Sequence, residues 1–293
     1  MKEFKLVKAY QSHDALRQSF NDLVEKTFGL DFEDWYQNGF WSENYIPYSM
    51  VASDEVVANV SVNIINVMWN GDKKHFIQLG TVMTREEYRN QGLIRRLMQE
   101  IEKDYVEKAE GMYLFANDSV LSFYPKFGFE KETEYQYSKE VHPKGARTAL
   151  QIPMKEKKDW DKLEQVIKSS ANYSNFEMID NVQLIMFYVT KFMQENVYYI
   201  EKLNIYVIAE IEEGNLLIHA VYANTPVDIT ILDSVIEAFG KEIRNVTLGF
   251  TSMDVKGYAI HEIQEDDTTL FVKGKSLAGL ENHKVMFPTL SHA

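Results

Sequence analysis

Residues 80–129, GTVMTREEYRNQGLIRRLMQEIEKDYVEKAEGMYLFANDSVLSFYPKFGF, place a turn between a predicted strand and a predicted helix. An apolar strand over 75–84 precedes the turn Arg89-Asn90-Gln91-Gly92, and apolar residues follow at helical spacing: Leu93, Ile94, Leu97, Met98, Ile101 and Tyr105. The turn therefore lies at a helix N-terminus, where unpaired backbone N–H groups and the helix dipole favour a bound phosphate. Gly92 suits such a turn because glycine tolerates backbone conformations that are costly for other residues.

Two further polar positions follow the helix. Residues 112–116 predict a strand parallel to the one before the turn, and Asn117 follows that strand directly. Asn117-Asp118-Ser119 is a capping sequence, which predicts a short helix over 119–124. Because a residue before proline disfavours helix, Pro125 places Tyr124 at the end of that helix.

These residues resemble the GNAT family of acetyl-CoA-dependent N-acetyltransferases, over about the first half of the chain. The family's turn reads Arg/Gln-x-x-Gly-x-Gly/Ala. The resemblance implies that the turn holds the CoA pyrophosphate, that the strand before it grips pantetheine and polarises the acetyl carbonyl, and that Tyr124 protonates the departing thiolate as the catalytic acid. The implied cofactor-binding residues are Val82, Met83, Thr84, Arg89, Asn90, Gln91, Gly92, Leu93, Ile94 and Asn117. The alternative is that Gly92 is only a turn glycine and Tyr124 only a packed aromatic.

One position departs from the family pattern, because Ile94 stands where Gly or Ala is usual. A bulky aliphatic there, in the phrase GLIRRLM, is similar to the Eis-like branch, whose members acetylate multi-amine substrates. Eis-like proteins have tandem GNAT domains and a third domain, which this chain is expected to lack.

Composition indicates an ordinary globular protein. With 293 residues, 45% hydrophobic and 26% charged, two domains are expected. No window is long and apolar enough to span a bilayer, and the N-terminal MKEFK lacks a signal peptide's apolar core, so we expect a cytoplasmic protein without a membrane partner. The absence of Cys removes disulfides, thiolate metal ligands and Cys nucleophiles. The seven His are scattered without ligand spacing, so no metal is expected.

The net charge of −13 argues against a nucleic-acid partner, and its distribution is uneven. Between Lys26 and Lys73 there is no Lys or Arg, but there are seven acids, Asp31, Glu33, Asp34, Glu43, Asp54, Glu55 and Asp72. This acidic segment is either a solvated face or part of a pocket that attracts a cationic amine. In GNAT proteins the corresponding region walls the acceptor side, which makes Phe32, Trp35, Trp41, Glu43 and Tyr45 candidate substrate-pocket residues. The alternative for the rings is core packing.

The order of elements repeats in the second half of the chain. A helical pattern over 4–28, a hairpin at Asn70-Gly71 and a closing hairpin or long strand over 129–141 complete the first unit. After a break at 142–145, residues 216–222, 229–243 and 246–250 again predict strand, helix and strand. Their connecting turn, 224–228, has no Gly and contains Asp228, so no CoA is expected there. The predicted fold is a tandem GNAT α/β (α+β) fold of mixed, mostly antiparallel sheets with flanking helices, with a catalytic domain at 1–143 and a degenerate copy at 144–293.

The predicted function is direct transfer of acetyl from acetyl-CoA to a small cationic amine, polyamine or aminoglycoside-like. Glu43 and the carboxylate of Ala293 are candidate bases, with deprotonation through water as the default. Two other functions stay open: an N-acetyltransferase acting on a protein or peptide amine, and a non-catalytic acyl-CoA-binding module, for which an acid at Tyr124 has no use. A dinucleotide site is set aside because G-x-G-x-x-G is missing. Homo-oligomerisation is possible.

Overall fold

The chain alternates strands and helices in two successive sets. The computed structural model describes residues 3–171, 174–223 and 229–292. The first set is β1 (Lys5–Lys8), α1 (Asp14–Phe28), α2 (Glu33–Gln37), β2 (Tyr45–Ala52), β3 (Glu55–Trp69), β4 (Asp72–Thr84), α3 (Leu93–Tyr105), β5 (Gly111–Ala116), β6 (Glu130–Lys131) and β7 (Tyr135–Glu140). The second set is β8 (Leu150–Gln151), α4 (Lys157–Ser169), β9 (Ser174–Ile179), α5 (Val182–Lys191), β10 (Val197–Ile200), β11 (Ile205–Glu212), β12 (Asn215–Tyr222), α6 (Ile229–Ala238), β13 (Asn245–Leu248), β14 (Thr251–Ser252), β15 (Ala259–Glu262) and β16 (Thr269–Lys273). No helix among the described residues has the length and apolar character needed to cross a membrane.

The strands form two mostly antiparallel sheets. The first has the order β1-β2-β3-β4-β5-β16-β6, with β9 paired to the far end of β3 and β14 paired to β9. The second has the order β15-β7-β13-β12-β11-β10-β8. Each sheet contains a parallel pair, β4 with β5 and β12 with β13, as the crossover helices between those strands require. The two sets of elements thus have the same topology at their centres.

The two halves exchange a strand with each other. β16 inserts between β5 and β6 in the first sheet, and β7 inserts between β13 and β15 in the second. The expectation that residues 129–141 close the first domain is wrong for β7, which pairs within the second sheet, whereas β6 pairs with β16 in the first sheet. A strand pattern fixes which residues are extended and leaves open which strand they pair with. The division at 143/144 stays a prediction, and strand pairing crosses it in both directions.

One hydrophobic core joins the halves. Phe32, Trp35 and Trp41 from the acidic segment belong to the same buried cluster as Met186 and Val189 of α5. Because α5 packs against the aromatic rings, the second half forms part of the wall behind the first sheet.

Several local predictions need correction. Residues 5–8 form β1, so the first helix begins only at Asp14, where His13 caps it by accepting from the Leu16 N–H at 3.4 Å. The helix predicted over 119–124 is replaced by two 3-10 helices, Asp118–Val120 and Tyr124–Phe127. Pro125 has no N–H to continue a helix begun earlier, but it is tolerated in the first turn of a new one. Tyr124 therefore starts a helical turn instead of ending one.

Candidate active site

A cleft opens in the first sheet where β4 and β5 diverge. The two strands pair at Phe76–Gly111, Ile77–Met112 and Gln78–Tyr113, and beyond Gln78 no described strand pairs with that edge of β4. A cavity of about 1080 Å³ occupies this region and is lined by residues from both halves of the chain. The backbone groups on the free edge of β4 are thus available to a ligand.

A β-bulge interrupts β4 at the start of the cleft. Ser61 pairs with Gly80 and Asn59 pairs with Met83, so Thr81 and Val82 together face a single residue of β3. Thr81 has φ +48°, a strained conformation for a β-branched residue. Two hydrogen bonds hold it: the Asn59 Nδ2 donates to its carbonyl at 2.9 Å, and its hydroxyl lies 2.5 Å from that of Tyr45. A bulge changes the direction of the backbone. Residues 82–84, which were predicted to bind the cofactor, line the cavity at and after this bulge.

The turn before α3 lies at the same cavity. Gly92 is the N-cap of α3 with φ +73° and no side-chain cap, and the predicted residues 89–94 all line the cavity. The first turn of α3 has no acid but contains Arg95 and Arg96. Positive side chains at a helix N-terminus oppose the helix dipole, so this arrangement suits a bound anion. Arg95 lines the cavity and was missed by the sequence reasoning, although it directly follows the turn.

Tyr124 and Asn117 complete the cofactor side of the cavity. Tyr124 is 5% exposed and packs beside Phe271 and Phe129, while Asn117 is exposed. Burial raises the pKa of Tyr124 to about 12. Its hydroxyl has no hydrogen-bond partner among residues 3–171, 174–223 and 229–292. The phenol therefore remains protonated around neutral pH and is free to donate.

Of the predicted substrate-pocket residues, Phe32, Trp35 and Tyr45 line the cavity, and Trp41 and Glu43 do not. Trp41 stacks behind Trp35, with ring centroids 5.7 Å apart, and its indole N–H donates to the Tyr45 carbonyl at 2.9 Å. Glu43 is exposed. The rings belong mainly to the core, and three of them also present an edge or face to the cavity.

The second half contributes wall residues that the sequence reasoning did not identify: Leu184, Phe187, Tyr188, Phe192 and His292. A weak signal existed, because α5 is apolar on most sides, which is typical of a helix buried between two layers. The His292 ring stacks on Phe115 with centroids 3.8 Å apart, and the Tyr188 hydroxyl donates to the His292 carbonyl. Burial lowers the pKa of His292 to about 4, so its imidazole is neutral at neutral pH.

The carboxylates of the acidic segment lie outside the cavity. Asp31 pairs with Lys191 at 3.0 Å, and Glu33 pairs with Arg17 at 3.0 Å. No Asp or Glu lines the cavity in the part of the chain that the structure describes, which also contains no cluster of three His, Asp or Glu able to hold a metal. The second turn, 224–228, and Ala293 lie outside the described residues.

Comparison with known proteins agrees with this geometry. The model of the acetyltransferase (GNAT) family matches residues 11–129. A search of curated protein sequences finds no match.

Solved structures are similar over nearly the whole chain. A conserved protein of unknown function from Enterococcus faecalis V583, described as a probable N-acyltransferase, has a TM-score of 0.62 at 16% identity, covering 93% of this chain and 72% of its own. Eis1 from Mycobacterium abscessus has a TM-score of 0.56 at 12% identity, covering 92% and 73%. A GCN5-related N-acetyltransferase from Kribbella flavida has a TM-score of 0.55 at 16% identity, covering 92% and 71%. The tandem GNAT-like fold expected from the sequence is confirmed.

Proposed function

We propose that the protein is an acetyl-CoA-dependent N-acetyltransferase, because residues 11–129 match the model of the acetyltransferase (GNAT) family and lie within a tandem GNAT-like fold. One observation carries the proposal. The helix N-terminus at Gly92, the free edge of β4 and the unpartnered hydroxyl of Tyr124 line a single cavity. These are an anion site, a row of hydrogen-bond donors and an acid, which is the set of groups that thioester chemistry needs.

The residues of the cavity fit the parts of acetyl-CoA, which supplies an activated acetyl group when bound. The turn at residues 89–94, with Arg95, would hold the pyrophosphate. The backbone N–H groups of residues 82–84 would donate to pantetheine and to the thioester carbonyl. Tyr124 would donate its proton to the sulfur that leaves. Water would take the proton that the amine releases, because the lowered pKa of His292 makes its neutral imidazole a weak base.

Direct transfer to a small amine is favoured over transfer to a peptide. Phe187, Phe192 and His292 line the cavity from the second half and reduce the space for an extended chain. The sequence-based expectation of a small cationic amine, polyamine or aminoglycoside-like, was based on the acidic segment. Because those carboxylates do not line the cavity, such amines enter the test below as one class among several.

The test is thiol release from acetyl-CoA with a panel of amines, run on the wild type and on Tyr124→Phe. We expect kcat to fall by roughly 10²- to 10⁴-fold in the variant, as for loss of a general acid, with the Kd of acetyl-CoA unchanged. Tyr113→Phe is the matched control, because Tyr113 is also a buried tyrosine whose hydroxyl has no partner in the described chain, and it does not line the cavity.

Two outcomes would contradict the proposal. Tight acetyl-CoA binding without thiol release from any amine would favour the non-catalytic acyl-CoA-binding module. Equal kcat in wild type and Tyr124→Phe would remove Tyr124 from the role of acid.

A further inference from the structure

One wall of the cavity, taken here as the acceptor wall, consists of aromatic and aliphatic side chains from both halves of the chain. Phe32, Trp35 and Tyr45 come from the first half, and Leu184, Phe187 and Phe192 come from the second. A ligand gains free energy on this wall chiefly by removing apolar surface from water.

Several polar atoms of this wall already have partners within the protein, whereas the Nε2 of His292, which also lines the cavity, has none among the described residues. The Trp35 indole N–H donates to the Gln183 carbonyl at 2.9 Å. The hydroxyls of Tyr45 and Tyr188 are bonded to Thr81 and to the His292 carbonyl. An acceptor rich in hydroxyl groups would lose its bonds to water here without replacing them, which costs free energy for each group.

The wall also contains few groups that could stabilise a further positive charge on the acceptor. None of its described residues is an acid. Aromatic faces can hold an ammonium group, but Trp35 lies within 6 Å of four other rings, Phe32, Trp41, Tyr45 and Phe187, and is 5% exposed. Because its faces are engaged with these rings, it does not form an open cage for a cation.

Two large apolar side chains stand exposed at the mouth of the cavity. Phe28, at the end of α1, is 47% exposed, and Phe192, just after α5, is 53% exposed, and both line the cavity. Both rings are therefore accessible to an apolar group of a ligand in the cavity. They lie on the two sides of the junction between the halves, near the Lys191–Asp31 ion pair.

We propose that the acceptor is an amine carried on an apolar group of aromatic size, as in an arylalkylamine. This inference rests on the proposed function and adds the class of substrate. The apolar group lies against Phe187 and Phe192, and the amine is bound neutral. Its nitrogen forms the new amide bond as the carbon–sulfur bond of the thioester breaks; the sulfur takes the Tyr124 proton and leaves as CoA thiol, and the amine proton goes to water, which reprotonates Tyr124.

The experiment compares 2-phenylethylamine with ethanolamine, which has a primary amine and lacks the ring, and with putrescine, spermidine and kanamycin. Thiol release by the full-length protein is measured at saturating acetyl-CoA. We expect kcat/KM for 2-phenylethylamine to exceed that for ethanolamine by about 30-fold, the effect of burying one phenyl ring. In Phe192→Ala the KM for 2-phenylethylamine should rise about fivefold, since this ring is half exposed, while the KM for acetyl-CoA stays unchanged.

Leu150→Ala is the matched control, because Leu150 is 54% exposed on β8 and does not line the cavity. Its KM for the amine should equal the wild-type value. Faster turnover of putrescine, spermidine or kanamycin than of 2-phenylethylamine would overturn the apolar acceptor and leave the acetyltransferase proposal in place. No thiol release from any amine would overturn both.

Discussion

The two halves of the molecule each contain a cleft beside a parallel strand pair, and the clefts are filled differently. In the first half β4 and β5 part after Gln78, and the cavity of about 1080 Å³ lies at this gap. In the second half β12 and β13 pair from Asn215–Asn245 to Ile218–Leu248 and then part as well. There the 3-10 helix Thr289–Ser291 fills the gap and leaves a cavity of about 270 Å³.

Specific contacts hold this segment in the second cleft. The Thr289 N–H donates to the Gly249 carbonyl at 2.9 Å, and its hydroxyl is 2.8 Å from His219 Nδ1. His219 is the extra residue of a bulge in β12, just as Thr81 and Val82 form the bulge in β4. The same backbone framework therefore borders an open cavity in one half and holds a segment of the chain itself in the other, so the fold alone does not determine what occupies the cleft.

A substitution at Gly92 is the strongest test of the difference between the two clefts. Gly92→Asp would place a carboxylate at the helix N-terminus and force a non-glycine residue to φ +73°. We expect the Kd of acetyl-CoA to rise by about 100-fold, from charge repulsion with the pyrophosphate and from backbone strain. Isothermal titration calorimetry measures the change. Gly257→Asp is the control, because Gly257 has φ +81° and equally open space but lies outside both cavities; similar weakening there would mean that strain alone is responsible.

The filled cleft can be disturbed at Gly249. A Cβ at this position would lie 2.6 Å from Thr289 Oγ1 and 3.2 Å from the Ile218 carbonyl, so Gly249→Ala must displace the segment or the strands. We expect a loss of about 2 kcal/mol in the free energy of unfolding, as for overpacking elsewhere. Because His292 follows this segment, kcat should fall as well. Denaturant unfolding and thiol release measure the two effects, and an unchanged kcat would show that His292 keeps its place independently of the second cleft.

The segment between β6 and β7, which connects the two sheets, contains a buried carboxyl group. Glu134 lies where the chain passes from β6 to β7, and its carboxylate accepts from the Phe287 N–H at 2.7 Å. Burial, with a smaller contribution from Glu265, raises the pKa of Glu134 to about 8. The folded state therefore keeps a proton that the unfolded state loses above its ordinary pKa. This stabilisation is present at acid pH and is lost as pH rises towards 8.

Glu134→Gln tests this effect, because glutamine keeps the acceptor oxygen and does not ionise. The wild type should lose about 1 kcal/mol of unfolding free energy per pH unit between pH 5.5 and 7.5 relative to the variant. Thermal unfolding at a series of pH values measures the difference. Parallel curves for the two proteins would mean that Glu134 is ionised in the folded state.

The sequence predicted the features that depend on neighbours along the chain. The turn at 89–92 and helix α3 follow from glycine placement and periodicity, and the hairpin at Asn70-Gly71 has the expected positive φ values of +50° and +90°. The wall from α5, the position of His292 and the pairing of Asp31 with Lys191 depend on contacts between residues more than a hundred positions apart. A local sequence pattern does not contain that information. The acidic segment therefore suggested an acidic pocket, but its carboxylates do not line the cavity.

The strand exchange also bears on how the protein is made. The first sheet has a gap between β5 and β6 until the residues of β16, Thr269–Lys273, have been synthesised. During translation of nearly the whole chain, the outer edge of β5 therefore remains unpaired, and such edges attract other strands. Pairings between distant residues also fold slowly. The first sheet is consequently completed late in biosynthesis, and the first half expressed alone would lack the strand that pairs with both β5 and β6.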